Sequence, residues 1–138
     1  MDTSCIFCGI VAGDAEASLL ATSERTVAFL DIRPVGEGHA LVVPRRHVEQ
    51  LAGVDDEEGA EMFQLGRRIA TAQRELGLAE GVNLFLADGE VAGQEIFHAH
   101  LHVVARRHDD GMHIAVDFPP LPSREQLDTT AAAIREVL

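Results

Sequence analysis

Short apolar stretches separated by turn residues predict a chain of mixed strands and helices. Proline and glycine interrupt the apolar pattern at residues 33–38, and Asp88-Gly89 interrupts it again, so turns are expected at both places. The stretches predicted to be strands are residues 26–30, 39–43, 82–86 and 99–105, with residues 19–22 as a weaker fifth strand.

Two further segments carry apolar residues at helical spacing. The first lies between the strands: Asp55 is a suitable N-cap, the acidic residues at 56–58 favour the positive helix end, and Gly77 ends the helix. The second begins with a capping box from Ser123 to Gln126, and we expect it to pack on the rest of the chain. The apolar positions are Met62, Leu65, Ile69, Ala72 and Leu76 in the first helix and Leu127, Ala131, Ile134 and Leu138 in the second.

Size, composition and charge restrict the class of protein. The 138 residues, 46% of them hydrophobic, predict a single globular domain over residues 1–138. No apolar run approaches the roughly 20 residues of a membrane span, and residues 1–5 lack the features of a signal peptide, which predicts a cytoplasmic protein with no membrane partner. The net charge of -12 repels phosphate at long range, so a nucleic-acid partner is not expected and any phosphate must bind through local groups.

Three of the seven histidines stand at every second position, at His98, His100 and His102, with apolar residues between them. In a strand this spacing places the three imidazoles on one surface. Imidazole titrates nearest neutrality, so such a row can supply a nucleophile, a proton donor and a ligand. One metal ion cannot bind all three, because the outer two positions are about 13 Å apart in a strand.

The chain resembles the histidine triad family of nucleotide hydrolases and transferases from about Cys5 to Arg107. The histidine row continues as His-apolar-His-apolar-His-apolar-apolar through residues 98–104, and residues 29–34, 38–47 and 92–97 also match the family pattern. The resemblance implies an α+β fold with an antiparallel five-stranded sheet and two main helices. It also implies a homodimer in which the sheets of two subunits join. The motif-bearing core is then about residues 5–107, followed by the C-terminal helix at about 123–138.

The resemblance also assigns roles to individual residues. His100 matches the nucleophile that attacks the α-phosphorus and forms a nucleotidyl-histidine intermediate. His102 matches a phosphate-contacting residue that can place positive charge on the transition state. His39 matches a histidine beside the nucleophile, and Gln94 matches a phosphate donor. Asp31 matches the carboxylate that binds the ribose hydroxyls, and the residues that match the purine enclosure are Ile6, Phe7, Ile10, Phe29 and Ile32.

The implied activity is hydrolysis that releases AMP or GMP from phosphoramidates, acyl-nucleotides or dinucleoside polyphosphates, with a purine nucleotide as substrate and no organic cofactor. His102, where the transferase branch has glutamine, favours hydrolysis over transfer. Two residues depart from the family pattern. Ala87 stands where many members have an asparagine near the α-phosphate, which bears on phosphate binding and substrate choice. Glu95 stands where the phosphoramidase branch has a serine that can donate a proton to the leaving group. Two other interpretations remain open, namely a weakly active nucleotide-binding regulatory dimer and a zinc-dependent hydrolase that activates water on the histidine row.

Cys5 and Cys8 are the only cysteines. A lone Cys-x-x-Cys pair is compatible with inert thiols, a redox motif or half of a zinc site. A structural zinc site needs about four nitrogen or sulfur ligands. The resemblance implies that His47 and His98 complete the set, so that a structural Zn²⁺ steadies the segment that carries His100.

Overall fold

Five antiparallel strands form one sheet in the order β1-β2-β3-β5-β4. The structure, a computed structural model, describes residues 4–138; residues 1–3, on which the expected lack of a signal peptide partly rests, lie outside the described residues. The strands are β1 Leu19–Thr22, β2 Thr26–Leu30, β3 Ala40–Pro44, β4 Gly81–Phe85 and β5 Leu101–Arg106. The predicted α+β class and five-stranded antiparallel sheet are confirmed, and the predicted strand bounds differ by at most two residues.

The long helix α2, Asp56–Glu75, covers one face of the sheet. Asp55 caps it through a capping box with Glu58, as its sequence position predicts. Met62, Leu65 and Ile69 pack on β-strand residues at the centre of the larger core. Gly66 permits the close approach of this helix, since an added Cβ would lie 2.9 Å from the side chain of Leu101.

The opposite face of the sheet carries the short helix α1, Ile6–Ala12, and a second core. Cys5 caps α1, and Gly13 ends it with a φ of 81°. The two predicted main helices are present, and α1 is a third helix that was not predicted. The signal that could have found it is the set of apolar residues at helical spacing directly before that glycine.

The third helix, α3 Arg124–Val137, forms with the predicted capping box between Ser123 and Gln126. The expectation that it packs on the rest of the chain is wrong for a single subunit, because α3 contains no buried residue. Leu127 and Ile134 on its apolar face are 43% and 53% exposed. The helix follows a stretch that contains Pro119, Pro120 and Pro122 and has no regular secondary structure.

The ladder of β5 begins later than the sequence predicts, at Leu101 rather than at residue 99. The reason lies at the end of β3, where Pro44 has no N–H and its carbonyl accepts from the ring of His98 instead of from a neighbouring strand. Ala99 donates instead to the carbonyl of Val48. His98 and His100 therefore precede the strand proper, and only His102 lies within it.

Among residues 4–138 no helix is both long enough and apolar enough to cross a bilayer.

Candidate active site and metal centre

A row of side chains crosses the sheet on the face that carries α1. Leu41 pairs with Phe29 on one side and with His102 on the other, and His102 pairs in turn with Phe85. Because paired residues of neighbouring strands share a face, this register places His102 between an apolar region and the end of β4. His100 lies close by, with its ring centroid 4.9 Å from that of His102.

The hydrogen bonds of His100 fix its tautomer. Its Nδ1 lies 2.8 Å from the carbonyl oxygen of His98, which can only accept, so Nδ1 carries the proton. The Nε2 lone pair is then available to an electrophile. Phe7 packs edge-on against the ring at 5.1 Å, and the side chain is buried. The arrangement fixes the direction of Nε2, the ring nitrogen that acts as a nucleophile when it carries its lone pair.

His39 and His102 form an ordered chain of hydrogen bonds. Nδ1 of His39 accepts from the backbone N–H of Val35 at 3.1 Å, so the proton of this imidazole lies on Nε2. That Nε2–H donates to Nδ1 of His102 at 2.9 Å. His102 is thereby fixed as the tautomer with its proton on Nε2, which makes it a directed N–H donor.

His39 and His102, the two histidines joined by this hydrogen bond, are both held in their neutral forms. Burial lowers the pKa of His39, opposed by the charge of Asp31. Burial, followed by the charges of His100 and His39, lowers the pKa of His102 to about 4. In the unliganded protein at neutral pH, His102 therefore acts as a neutral hydrogen-bond donor, whereas the sequence analysis gave it a positive charge.

Asp31 lies beside His39, next to the hydrogen bond between His39 and His102. Its Oδ2 is 3.6 Å from Nε2 of His39, and its Oδ1 accepts from the backbone N–H of Arg33. One carboxylate oxygen therefore holds the turn, and the other faces the histidines. The carboxylate is only partly exposed, which suits recognition of a neutral polar group such as a hydroxyl.

The five apolar residues expected around a purine divide into two groups. Phe7 and Phe29 are buried and pack against each other at 5.4 Å in the second core, and Ile10 packs against that core. Ile6 and Ile32 are exposed, at 52% and 93%. Of the set, Ile6 and Ile32 are therefore exposed to solvent, whereas the aromatic pair lies within the second core.

Gln94 is buried, and all of its side-chain bonds are made within the protein. Its Oε1 accepts from Gly89 N–H, and its Nε2 donates to the carbonyls of Glu49 and Ile96. The side chain therefore ties the loop of residues 86–97 to the segment after β3. In this conformation it has no remaining N–H for a phosphate, so its contribution is to hold the loop that leads into His98.

The four residues expected to bind zinc converge. Their ligand atoms, Sγ of Cys5 and Cys8 and one ring nitrogen each of His47 and His98, all lie within 4.8 Å of one another. The Sγ to Nδ1 distances are 3.5 Å for Cys5 with His98, 3.3 Å for Cys8 with His47 and 3.6 Å for Cys8 with His98. A tetrahedral Zn²⁺ with ordinary bond lengths places sulfur and nitrogen about 3.6 Å apart. The cluster thus has the ligand types and spacing of a structural zinc site.

The tautomer of His98 also fits a metal ligand. Its Nε2–H donates to the Pro44 carbonyl at 2.8 Å, which leaves Nδ1 unprotonated and directed at the two sulfurs. A backbone acceptor on the remote nitrogen is the usual partner of a metal-binding histidine. The backbone carbonyl of His98 accepts a hydrogen bond from Nδ1 of His100. His98 therefore connects the metal cluster directly to the nucleophile.

An ion pair between a half-exposed arginine and a buried carboxylate fixes the segment that carries His47. Arg46 makes two hydrogen bonds to the buried carboxylate of Glu58, at 2.7 and 2.8 Å, and a third to the carbonyl of Gly53. The guanidinium holds the pKa of Glu58 below its usual value, chiefly through these bonds. The N-terminus of α2 is therefore joined to the residue next to His47.

Asp31, His39 and His102 form a second group whose ligand atoms lie close enough for a metal. The hydrogen bond from Val35 opposes metal binding there, because it requires the proton of His39 to stay on the Nε2 that a metal would need. The geometry therefore favours a hydrogen-bonded chain at this position.

The two departures from the family pattern lie on the loop of residues 86–97. Ala87 is partly buried and offers no polar group. The Glu95 side chain is 84% exposed, and its carboxylate lies 4.0 Å from the Arg33 guanidinium.

Sequence reasoning gave no role to Phe85, whose ring stacks on the ring of His102. The strand register, which the sequence alone does not fix, is what places it there.

The chain is similar in sequence and in fold to known proteins. Residues 12–109 match the family model for the HIT domain. An uncharacterized HIT-like protein of Mycobacterium tuberculosis is 41% identical over 111 residues, which cover 80% of this chain and 77% of that protein. The crystal structure of a HIT family protein from Bacillus anthracis is similar with a TM-score of 0.92 and 32% identity, over 100% of this chain and 99% of that chain. A zinc-bound histidine triad family protein from Mycobacterium smegmatis is 40% identical, with a TM-score of 0.76 over 98% of both chains.

Proposed function

The chain belongs to the histidine triad (HIT) family, and on that premise we propose that it is a nucleotide hydrolase that releases a nucleoside monophosphate through a covalent intermediate on His100. The single observation that carries the proposal is the tautomer of His100, whose Nδ1–H is held by the carbonyl of His98 at 2.8 Å. A neutral imidazole with a fixed Nε2 lone pair is a nucleophile ready for phosphorus.

In the first step, Nε2 of His100 attacks the α-phosphorus of the nucleotide. The nitrogen–phosphorus bond forms as the bond to the leaving group breaks, and the leaving group takes the bonding electron pair and then a proton from solvent. In the second step, a water oxygen attacks phosphorus and its proton passes to solvent. His100 leaves with the electron pair of its bond, which restores the lone pair and releases the nucleoside monophosphate.

His102 stabilises the charge that develops on the phosphoryl oxygens. Its Nε2–H is directed by the chain from Val35 through His39, so the donor is oriented before substrate arrives. Such a donor matters in a chain of net charge -12, because long-range attraction for phosphate is lacking. Asp31 supplies the acceptor for the ribose hydroxyls, with Ile6 and Ile32 against the base.

Zn²⁺ is proposed as a structural cofactor at Cys5, Cys8, His47 and His98. When bound, the metal crosslinks α1, the segment after β3 and the segment before β5. The residues that do chemistry lie outside this cluster. The contribution of His98 to the reaction is its backbone carbonyl, which orients His100.

Release of AMP from adenosine 5'-phosphoramidate tests the proposal. We expect steady turnover by the wild-type protein, and rapid denaturation at alkaline pH during turnover, which preserves a nitrogen–phosphorus bond, followed by intact mass measurement at alkaline pH should show a protein species carrying one adenylyl group. Diadenosine polyphosphates and acyl adenylates, assayed in parallel, identify the leaving group that is accepted. Binding of AMP with no turnover of any of these substrates would contradict the hydrolase and favour a nucleotide-binding regulatory role.

We also propose that the protein is a homodimer in which α3 packs on the second copy. A helix of 14 residues with no buried side chain is too short to be stable alone in water. The similarity to the Bacillus anthracis structure extends over 100% of this chain, so the position of α3 is part of the shared fold. The free edge of β4 offers a second surface for pairing of the sheets.

Charged substitutions on α3 test the dimer. The double variant Leu127→Glu with Ile134→Glu should halve the molar mass measured by light scattering, since two carboxylates would be buried in the interface. The matched control, Thr129→Glu with Ala133→Glu, places the same charges on the opposite face of the helix and should remain dimeric. A wild-type mass of one chain would refute the proposal.

A further inference from the structure

One aromatic side chain without an assigned role covers a face of His102. Phe85, the last residue of β4, pairs directly with His102 across the sheet. The two rings stack with centroids 4.3 Å apart and planes inclined by 15°. Phe85 is 39% exposed, so it lies at the boundary between the site and solvent.

We propose that Phe85 is a positioning residue, which holds the imidazole of His102 in the plane that directs its Nε2–H at the phosphoryl oxygen of the substrate. The inference rests on the proposed function, because it gives a purpose to the orientation of His102. It adds a residue to the site that acts through His102 and need not touch the substrate.

The remaining contacts of His102 do not fix its ring plane. The hydrogen bond from His39 fixes one atom, Nδ1, and the second torsion angle of a histidine is otherwise soft. The neighbouring rings of His100 and His39 are inclined to it by 59° and 41°. Among the ring contacts within residues 4–138, that of Phe85 is the nearly parallel one, and a flat stack resists rotation of the imidazole out of its plane.

The placement of Phe85 follows from the alternation of β4. Leu84 packs on the core beneath α2, so its neighbour Phe85 must face the opposite side, where His102 lies. Burial alone does not account for an aromatic residue here, because more than a third of the side chain remains in water. A flat surface against the imidazole is the property that leucine at the same position would lack.

The stack also excludes water from His102. The titratable groups that face this imidazole are His100, His39 and Asp31, and burial is the largest cause of its low pKa. Removal of the Phe85 ring admits water to one face, so the pKa of His102 should rise toward its ordinary value. The fraction of protein with His102 protonated on both nitrogens then grows as the pH falls, and the hydrogen bond from His39 is lost in that fraction.

Substitution of Phe85 by leucine tests the proposal, with Phe85→Tyr as the conservative variant. The matched control is Phe63→Leu, which makes the same change at a residue that is 61% exposed on α2, on the other face of the sheet. Long-range proton–nitrogen NMR spectra, assigned with His102→Gln, report the tautomer and pKa of His102 in each substrate-free protein. AMP release from adenosine 5'-phosphoramidate gives kcat and KM across pH.

In Phe85→Leu we expect kcat to fall about threefold to tenfold, the effect of losing an aromatic pair, with KM nearly unchanged. The pKa of His102 should rise, and the spectrum should show both neutral tautomers. Phe85→Tyr should restore the wild-type values, and Phe63→Leu should not alter them.

An unchanged kcat and an unchanged His102 spectrum in Phe85→Leu would overturn the inference, and so would a loss of kcat that Phe85→Tyr fails to rescue. If the wild-type protein turns over no substrate, the hydrolase proposal fails while the spectra still decide the role of Phe85. An altered His102 tautomer then supports positioning, and an unaltered one refutes it. Should Phe85→Leu fail to fold, Phe85→Met provides the non-aromatic variant.

Discussion

Replacement of His100 by alanine is expected to lower kcat for AMP release by at least about a thousandfold, the effect typical of removing a catalytic nucleophile. The substitution removes the Nε2 lone pair that attacks phosphorus, and the remaining donors cannot form a covalent intermediate. No adenylyl-protein species should appear in the quenched reaction. Binding of AMP, measured by calorimetry, should change only slightly, because Asp31 and His102 remain.

The matched control for this prediction is His113→Ala, which removes an exposed histidine outside the motif. His100→Gly with added imidazole offers a sharper test, since imidazole bound in the vacated space can attack phosphorus itself. Partial recovery of AMP release would place the lost function at that nitrogen. A folded His100→Ala protein with wild-type kcat would rule out the nucleophilic mechanism.

Much of the fold and the candidate site could be predicted because periodic patterns record local geometry. The N-cap at Asp55 and the capping box at Ser123 lie where the sequence predicts them, since a cap depends on groups only about three residues apart. The grouping of Cys5, Cys8, His47 and His98 was also expected, although only through a family resemblance. Nothing local connects Cys8 with a histidine 90 positions along the chain.

Sequence reasoning failed where a contact depends on strand register or on a competing partner. Phe85 was overlooked because its place beside His102 follows from the pairing of β4 with β5. The role expected for Gln94 assumed a free amide, whereas the fold uses that amide to close its own loop. The packing expected of α3 assumed that an apolar helix face is covered within its own chain, and here it is not.

The link through His98 gives the zinc site a consequence for catalysis. Bound zinc would coordinate Nδ1 of His98, and the backbone carbonyl of the same residue accepts the hydrogen bond from Nδ1–H of His100. Loss of the metal should therefore disturb the nucleophile without removing it. This differs from a catalytic zinc, whose loss would remove the attacking group itself.

Replacement of the ligand His47 by alanine is accordingly expected to reduce bound zinc, measured by mass spectrometry of metals, from one equivalent per chain to a small fraction. Loss of a structural metal is one of the few mechanisms by which a single substitution lowers the free energy of unfolding by about 4 kcal/mol or more. In a chain of this size the melting temperature should fall by about 10–20 °C. AMP release should decline with the metal content and return when zinc is restored by a high external concentration.

His108→Ala is the matched control, because the His108 side chain is 91% exposed and lies outside the zinc cluster. It should retain one zinc, the wild-type melting temperature and full turnover. His100→Ala should likewise retain its zinc, which separates the two roles: one variant is inactive with the metal bound, and the other loses activity because the metal is lost. A His47→Ala protein with a full equivalent of zinc and unchanged stability would exclude His47 from the site and leave Cys5, Cys8 and His98 to be explained without it.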